Sequence, residues 1–246
     1  LYAQRKLQAL SVSYSPQERA IHQKLNDYCA SRDQDAEKVG NSFGTSFVNQ
    51  LLKKRLFSSP AAFASTLEKH VATTANGSQR KGKDAMADRI LRKAILRVEE
   101  DYANDQEVEN AQSEAVEEAS RRAQPLTAEQ QQMLNELRSW AQTAKNQVDA
   151  KAKAILDWLK VNLKTDGQWN DRRVILFTEY RTTHQWMHEI LASHGFGGDR
   201  LAILHGGMPQ DEREKVKAAF QTSPKDSAVR ILLATDAASE GIDLQN

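Results

Sequence analysis

The sequence predicts an all-helical region over residues 1–145, followed by an α/β unit built on a parallel sheet over residues 146–246. Helix-start patterns recur through the first part of the chain. In the second part, apolar runs of strand length alternate with amphipathic helical stretches over short connections, which is typical of a parallel sheet covered by helices. The 246 residues include only 11 Gly and 5 Pro, which argues against a loop-rich chain.

The first three helices are predicted from their start residues and their apolar spacing. Ser15 can cap a helix that begins at Pro16, and Glu18 can complete a capping box. Apolar residues at helical spacing predict a second helix over 42–57. A further Ser-Pro pair predicts that a third helix begins near Pro60.

The rest of the helical region contains one loop and one acidic stretch. Residues 73–84 are polar and contain Asn-Gly, so we expect a loop. A helix should resume over 85–102. Residues 99–118 carry nine carboxylates and no basic residue, and we interpret them as a solvated helix or a mobile linker without chemistry. Thr127 and Gln130 form the capping box of a last helix.

The α/β unit begins with an amphipathic helix and then alternates strand and helix. The expected order is 149–163 (helix), 172–180 (strand), 182–195 (helix), 200–207 (strand), 209–221 (helix) and 228–236 (strand). The strands are continuous apolar runs, as expected for a sheet that is covered on both faces. Gly195 is expected to end one helix, and Pro209 to open the next.

Composition limits the class of protein. With 39% hydrophobic and 27% charged residues, and no apolar run near the roughly 20 residues of a membrane span, we expect a soluble protein. Cys29 is the single cysteine, which excludes a disulfide framework and favours a reducing, cytoplasmic setting.

The net charge of +1 conceals a strong asymmetry. Residues 1–98 hold 17 Lys/Arg against 8 Asp/Glu, whereas residues 99–145 hold 4 against 11. The basic part could meet nucleic-acid phosphates, or it could simply pack near its acidic neighbour.

The most informative residues follow the three predicted strands. Parallel sheets bind ligands at the carboxyl ends of their strands. Hydroxyls, glycine amides and helix N-termini collected at one edge would form a cradle for phosphate oxygens. The segments concerned are "FTEYR" at 177–181, "HGGM" at 205–208 and "TDAASEGID" at 235–243.

The chain resembles a known family at these positions. "VILFTEYR", "ILHGGMPQDEREKVKAAF" and "ILLATDAASEGIDLQ" resemble, in order and spacing, three motifs of the second RecA-like lobe of superfamily 2 helicases. "SEG" with a Gln four residues after the Gly is similar to the bacterial SNF2-like branch, which includes an RNA-polymerase-recycling ATPase and the helicase of the DISARM phage-defence system. The segments "LSVSYSPQERAIHQKLNDY" and "LLKKRLFSSPAAFASTLEKH" also resemble that branch.

The resemblance implies an ATP-dependent DNA translocase or helicase that uses Mg²⁺. The phosphate-binding loop G-x-x-x-x-G-K-[ST] is absent from the sequence. We therefore expect a C-terminal fragment with an incomplete RecA-like lobe, in which ATP and Mg²⁺ require a missing first lobe. Such a fragment should not hydrolyse ATP alone. Glu240, Gly241 and Asp243 are the residues that the resemblance assigns to the nucleotide cleft.

The remaining site residues are assigned to nucleic-acid phosphates, with duplex DNA favoured over RNA. Glycines after the second strand would let a phosphate approach the backbone closely, and the basic triplet of the second helix would meet the DNA backbone. The full set comprises Thr178, Arg181, His205, Gly206, Gly207, Arg213, Thr235, Lys53, Lys54 and Arg55.

Several alternatives stay open. The helical part could be a protein-docking module, for example for RNA polymerase or a defence subunit. The α/β part could be a lobe of a DEAD-type RNA helicase, although the long helical segment counts against it. His184 and His188 have a zinc-chelating spacing, but the sequence supplies no third ligand and we assign no metal. Phe177 and Tyr180 are expected to serve packing.

Overall fold

A computed structural model describes residues 6–40, 42–75, 85–98 and 104–239. The helices of the first part are α1 (Pro16–Lys38), α2 (Ser42–Ser58), α3 (Pro60–Ala75), α4 (Ala85–Val98), α5 (Asp105–Arg122) and α6 (Ala128–Ala144). Within the described ranges, no helix is long and apolar enough to cross a membrane.

The predicted helix starts are confirmed by their caps. The Ser15 hydroxyl accepts the Glu18 N–H at 3.1 Å, and the Glu18 carboxylate accepts the Ser15 N–H in return. Thr127 and Gln130 form the same reciprocal pair at α6. Helix α3 continues to Ala75, so the loop predicted from residue 73 begins too early. The rest of that loop lies outside the described residues, as do residues 99–102.

The six helices share one apolar core. Leu25, Leu52, Leu67 and Leu134 are fully buried in it, together with residues of α4 and α5. Burying a leucine side chain stabilises a fold by about 1.5–3 kcal/mol. The amphipathic pattern of each helix thus determines which face turns toward the others. Cys29 lies in this core, where burial raises the pKa of its thiol to about 12.

The second part alternates helices and strands in the predicted order. Its elements are α7 (Ala150–Leu163), β1 (Lys164–Thr165), β2 (Gln168–Trp169), β3 (Val174–Thr178), α8 (Arg181–Leu191), β4 (Leu201–Leu204), α9 (Gln210–Gln221), β5 (Ile231–Thr235) and α10 (Asp236–Ser239). A wide turn over Ala192–Phe196 follows α8 and contains Gly195 at φ +79°. The short hairpin β1–β2 was not predicted, although its Asp-Gly turn, with both residues at positive φ, is a typical hairpin sequence.

Strands β3, β5 and β4 form one parallel sheet in that order. Strand β5 is central and buried along its whole length. Ile231 and Leu233 pack with α7 and α8 on one face, whereas Leu232 and Ala234 pack with Phe220 of α9 on the other. This alternation follows from the two-residue period of a strand. The predicted fold class is confirmed: a parallel sheet, consistent with a partial RecA-like lobe, follows an all-helical region. The exact domain boundary at residues 145 and 146 stays a prediction.

Candidate nucleic-acid interface

The carboxyl ends of the three parallel strands meet at one edge of the sheet, as expected. The pairing places Thr178 of β3 opposite Thr235 of β5, and Leu204 of β4 opposite Ala234. His205 and Gly206 therefore follow β4 beside Thr235. We call this edge, with the first turn of α8, the strand-end edge.

The central donor of the strand-end edge is bound by a residue of the helical part. Thr235 is fully buried, and its hydroxyl donates to Oδ2 of Asp105 at 2.7 Å. The backbone N–H of Gly206 donates to the same oxygen at 2.6 Å. Asp105 is the first residue of α5 and only 5% exposed. A carboxylate thus occupies the two donors that the sequence assigned to a phosphate.

Gly207 lies against the residue that precedes Asp105. Its φ is +83°, and a Cβ at this position would stand 2.9 Å from Oδ1 of Asn104. Asn104 caps α5 by accepting the Gln106 N–H at 2.9 Å. The sequence predicts that Gly207 allows a phosphate to approach the backbone closely. In this structure the side chain of Asn104 makes that close approach.

A second carboxylate of α5 binds one turn further along. Glu109 accepts the backbone N–H of Thr182 at 2.9 Å and the Thr182 hydroxyl at 3.0 Å. Thr182 is in the first turn of α8, where backbone N–H groups have no partner within the helix. The positive end of α8 therefore faces a carboxylate.

The basic triplet of α2 does not act as one surface. Arg55 is 3% exposed. Its guanidinium donates hydrogen bonds to the Glu109 carboxylate at 3.0 Å and to the Gln112 side-chain oxygen at 2.5 Å. The guanidinium carbon also lies 3.8 Å from the centre of the Tyr180 ring. Lys54 is exposed and Lys53 half-buried. In this conformation Arg55 joins α2 to α5 and α8, and its charge does not face solvent.

Arg181 and His184 bind each other at the start of α8. The Arg181 guanidinium donates to Nδ1 of His184 at 2.8 Å, and Nε2 of His184 bonds the Leu233 carbonyl at 3.0 Å. Burial lowers the pKa of His184 to about 4, so the ring is neutral and Nε2 carries the proton. Burial also lowers the pKa of Arg181. His184 therefore fastens α8 to β5.

His188, four positions after His184, is exposed on the same helix, whereas His184 is buried. Over the described residues, no three His, Cys, Asp or Glu side chains are grouped to hold a metal ion. The His205 ring stands 5.9 Å from the His184 ring, and its Nδ1 lies 2.9 Å from the Gly206 carbonyl oxygen.

Two further assigned residues have a buried polar atom without a hydrogen bond within the described part of the chain. These atoms are the Thr178 hydroxyl and Nε of Arg213.

The two aromatic residues near the end of β3 differ in exposure. Tyr180 is buried as expected, but Phe177 is 51% exposed, so its expected packing role is wrong. Phe177 shares a face of β3 with Ile175 by strand alternation, but only Ile175 packs against the cluster that contains Phe220 and Leu232.

The acidic stretch is the part that sequence reasoning missed. The sequence indicates a solvated helix or a mobile linker over 99–118, and this is wrong for Asp105, which is 5% exposed, and for Glu109, whose carboxylate is bound by Arg55 and Thr182. The charge asymmetry was the one available indication, because an acidic helix can pack against basic or donor-rich surfaces. Glu240, Gly241 and Asp243, assigned to the nucleotide cleft, lie outside the described residues.

The α/β part is similar to known proteins. Residues 151–246 match the family model of the helicase conserved C-terminal domain. The ATP-dependent RNA helicase DBP3 of Coccidioides immitis is 33% identical over 79 residues, which cover 32% of this chain and 14% of that protein. The ATP-dependent RNA helicase DBP8 of Candida albicans is 38% identical over 77 residues, which cover 31% of this chain and 16% of that protein.

A third relative, the ATP-dependent RNA helicase abstrakt of Drosophila melanogaster, is 34% identical over 73 residues, covering 30% of this chain and 11% of that protein. The chain thus spans less than a fifth of each of these curated relatives. No solved structure matches the chain. The parallel sheet, the order of its motifs and the family match agree, and residues 151–246 are similar to the helicase conserved C-terminal domain.

Proposed function

We propose that this chain contributes the second RecA-like lobe to an ATP-dependent helicase or translocase, and that its strand-end edge contacts the phosphates of a nucleic-acid strand. One observation carries this proposal. The Gly206 N–H, the Thr235 hydroxyl and the Thr182 N–H converge at the edge, and each donates to an oxyanion in this structure. Backbone N–H groups and hydroxyls bind phosphate oxygens as well as carboxylate oxygens.

We propose ATP and Mg²⁺ as cofactors of the intact protein on the basis of the resemblance and the family match. Bound ATP would supply the phosphoryl-transfer free energy that drives stepping. The residues described here have a different task, which is to hold the strand. A buried threonine hydroxyl and a glycine amide bind a phosphate without reading a base, so contact should be independent of sequence.

The nucleic acid is either DNA or RNA. The "SEG" segment with its following Gln, and the long helical part, favour an SNF2-like DNA translocase. The relatives named above are RNA helicases by name. We retain DNA as the first candidate because segments of the helical part resemble the SNF2-like branch, and RNA as the second.

The test is binding of labelled single-stranded and duplex DNA and RNA of one sequence, measured by fluorescence anisotropy over a salt series. Phosphate contact predicts a log–log salt slope of about −0.9 per contact for duplex DNA and about −0.7 for single strands. A preference for DNA supports the first candidate, and a preference for RNA the second. Absence of salt-dependent binding to all four ligands contradicts the proposal.

A further inference from the structure

The carboxylates of α5 stand where the proposed function places phosphates. Asp105 accepts from Gly206 and Thr235, and Glu109 accepts from Thr182. Carboxylate and phosphate are both oxyanions, and they compete for the same backbone N–H and hydroxyl donors. One set of donors cannot hold both at once.

The spacing of the two carboxylates also suits a nucleic-acid strand. Asp105 and Glu109 are four positions apart, so they lie on one face of α5 and about 6 Å apart along its axis. This separation is similar to that between neighbouring phosphates of one strand. Helix α5 thus presents two anions in a row, one to the ends of β4 and β5 and one to the start of α8.

The two ends of α5 have different environments. The first turns bind the strand-end edge through Asn104, Asp105 and Glu109. The later turns bury Ala115 and Ala119 in the helical core. The helix is therefore held by apolar packing at one end and by polar contacts to the edge at the other. Exchanging the edge contacts for a ligand leaves the apolar core closed, but it also separates Glu109 from Arg55 of α2.

We propose that the first turns of α5 act as an intramolecular phosphate mimic that closes the strand-end edge, and that nucleic acid binds by displacing Asp105 and Glu109. This inference rests on the proposed function of the edge. The apparent Kd is then the intrinsic Kd divided by the fraction of molecules in which the edge is open. The competing interpretation is that these contacts only fix the helical part to the sheet, in which case removing them leaves affinity unchanged or lowers it.

The experiment compares two charge-removing variants by anisotropy with single-stranded DNA and RNA. Asp105→Asn combined with Glu109→Gln keeps the shape of both side chains and removes their charge. We expect it to bind about tenfold more tightly at low salt, with a steeper salt slope. Glu107→Gln is the matched control, because Glu107 lies in the same turn of α5 and is exposed. It should change affinity by less than about twofold per lost charge, so the general effect of two lost charges accounts for less than about fourfold of the expected change.

A second measurement needs no variant and covers the case in which the double variant does not fold. Hydrogen exchange of the wild-type chain is followed with and without saturating oligonucleotide. Displacement predicts faster exchange of the α5 amides in the bound state, while the core of α3 and α6 is unchanged.

The outcomes separate this inference from the proposed function. If the wild type binds nucleic acid but α5 stays equally protected, or the double variant binds no more tightly than Glu107→Gln, the mimic is refuted and the edge retains its function. If neither the wild type nor any folded variant binds nucleic acid, both proposals fall.

Discussion

The hydroxyl of Thr235 donates a 2.7 Å hydrogen bond to the carboxylate of Asp105 across 130 positions of sequence. Both side chains are buried, at 0% and 5% exposure. A hydrogen bond to a charged acceptor in such surroundings stabilises a fold by about 1.5–3 kcal/mol. This contact joins the acidic stretch to the strand-end edge, and it makes the edge testable by stability as well as by binding.

Thr235→Val should destabilise the chain by about 1–3 kcal/mol, because Asp105 loses a donor while the core volume is preserved. Thr235→Ser keeps the hydroxyl and serves as the control, because it should lower the free energy of unfolding by less than Thr235→Val. Urea unfolding measures both. A double-mutant cycle with Asp105→Asn should give a coupling of about 0.5–3 kcal/mol, and additive effects would contradict a direct interaction.

Arg55→Met should cost about 3 kcal/mol of unfolding free energy, since it leaves the partly buried Glu109 carboxylate without its guanidinium partner. Lys54→Met, at the exposed neighbouring position, should change stability by no more than about 0.5 kcal/mol. Arg55→Lys should restore only part of the loss, because an ammonium cannot reproduce the planar fork that bonds Glu109 and Gln112. Equal effects of the Arg55→Met and Lys54→Met changes would mean that Arg55 is not held as described.

Replacing Lys53 and Lys54 together by Ala should weaken nucleic-acid binding across all sequences. The salt slope should fall by about one unit per lost phosphate contact. The matched control replaces two exposed lysines of α7, Lys153 and Lys160, by Ala. Its salt slope should equal that of the wild type. An unchanged slope in the Lys53 and Lys54 variant would assign those charges to the fold or to a protein partner.

Gly207→Ala should be more damaging than Gly198→Ala. Both glycines have positive φ, at +83° and +62°, so both substitutions add backbone strain of about 1–2 kcal/mol. A Cβ at 207 would also meet the Asn104 side chain at 2.9 Å, whereas nothing lies within 4 Å of a Cβ at 198. The difference in unfolding free energy should shrink when Asn104→Ala is added. A constant difference would show that Asn104 is not the cause.

Acid should destabilise the chain through His184. The folded protein keeps this ring neutral, with its pKa lowered by burial to about 4, whereas the unfolded chain protonates it below about pH 6.5. The unfolded state therefore binds more protons between these values, so stability falls as the pH falls through this window. One such group contributes at most about 1.4 kcal/mol per pH unit.

The test of this pH dependence is urea unfolding at about pH 7 and about pH 5. His184→Gln should flatten the dependence, and His188→Gln, on the exposed face of the same helix, should retain it. The His70 ring, held between Tyr28 and Ser120, adds a similar contribution, because burial lowers its pKa to about 3. If the free energy of unfolding depends equally on pH in the wild type and in His184→Gln, His184 is not a buried, neutral ring.

Local patterns in the sequence were sufficient for most of the secondary structure. The caps at Ser15 and Thr127 involve residues three positions apart, and the alternation of Ile231 to Ala234 between two cores follows from the period of a single strand. The positions of Thr178 and Thr235 at one edge followed from the general geometry of parallel sheets. Each of these inferences needs only neighbouring residues.

The occupation of the edge could not be predicted in this way. Asp105, Glu109 and Arg55 reach their partners from helices that are distant in sequence, and a single polar contact has no periodicity to reveal it. Their carboxylates and guanidinium also look like ordinary surface charges until packing removes them from water. The sequence by itself determined the elements, the sheet and the place of its donors, whereas only the tertiary structure decided which anion those donors bind, because that choice depends on how α5 packs against the sheet.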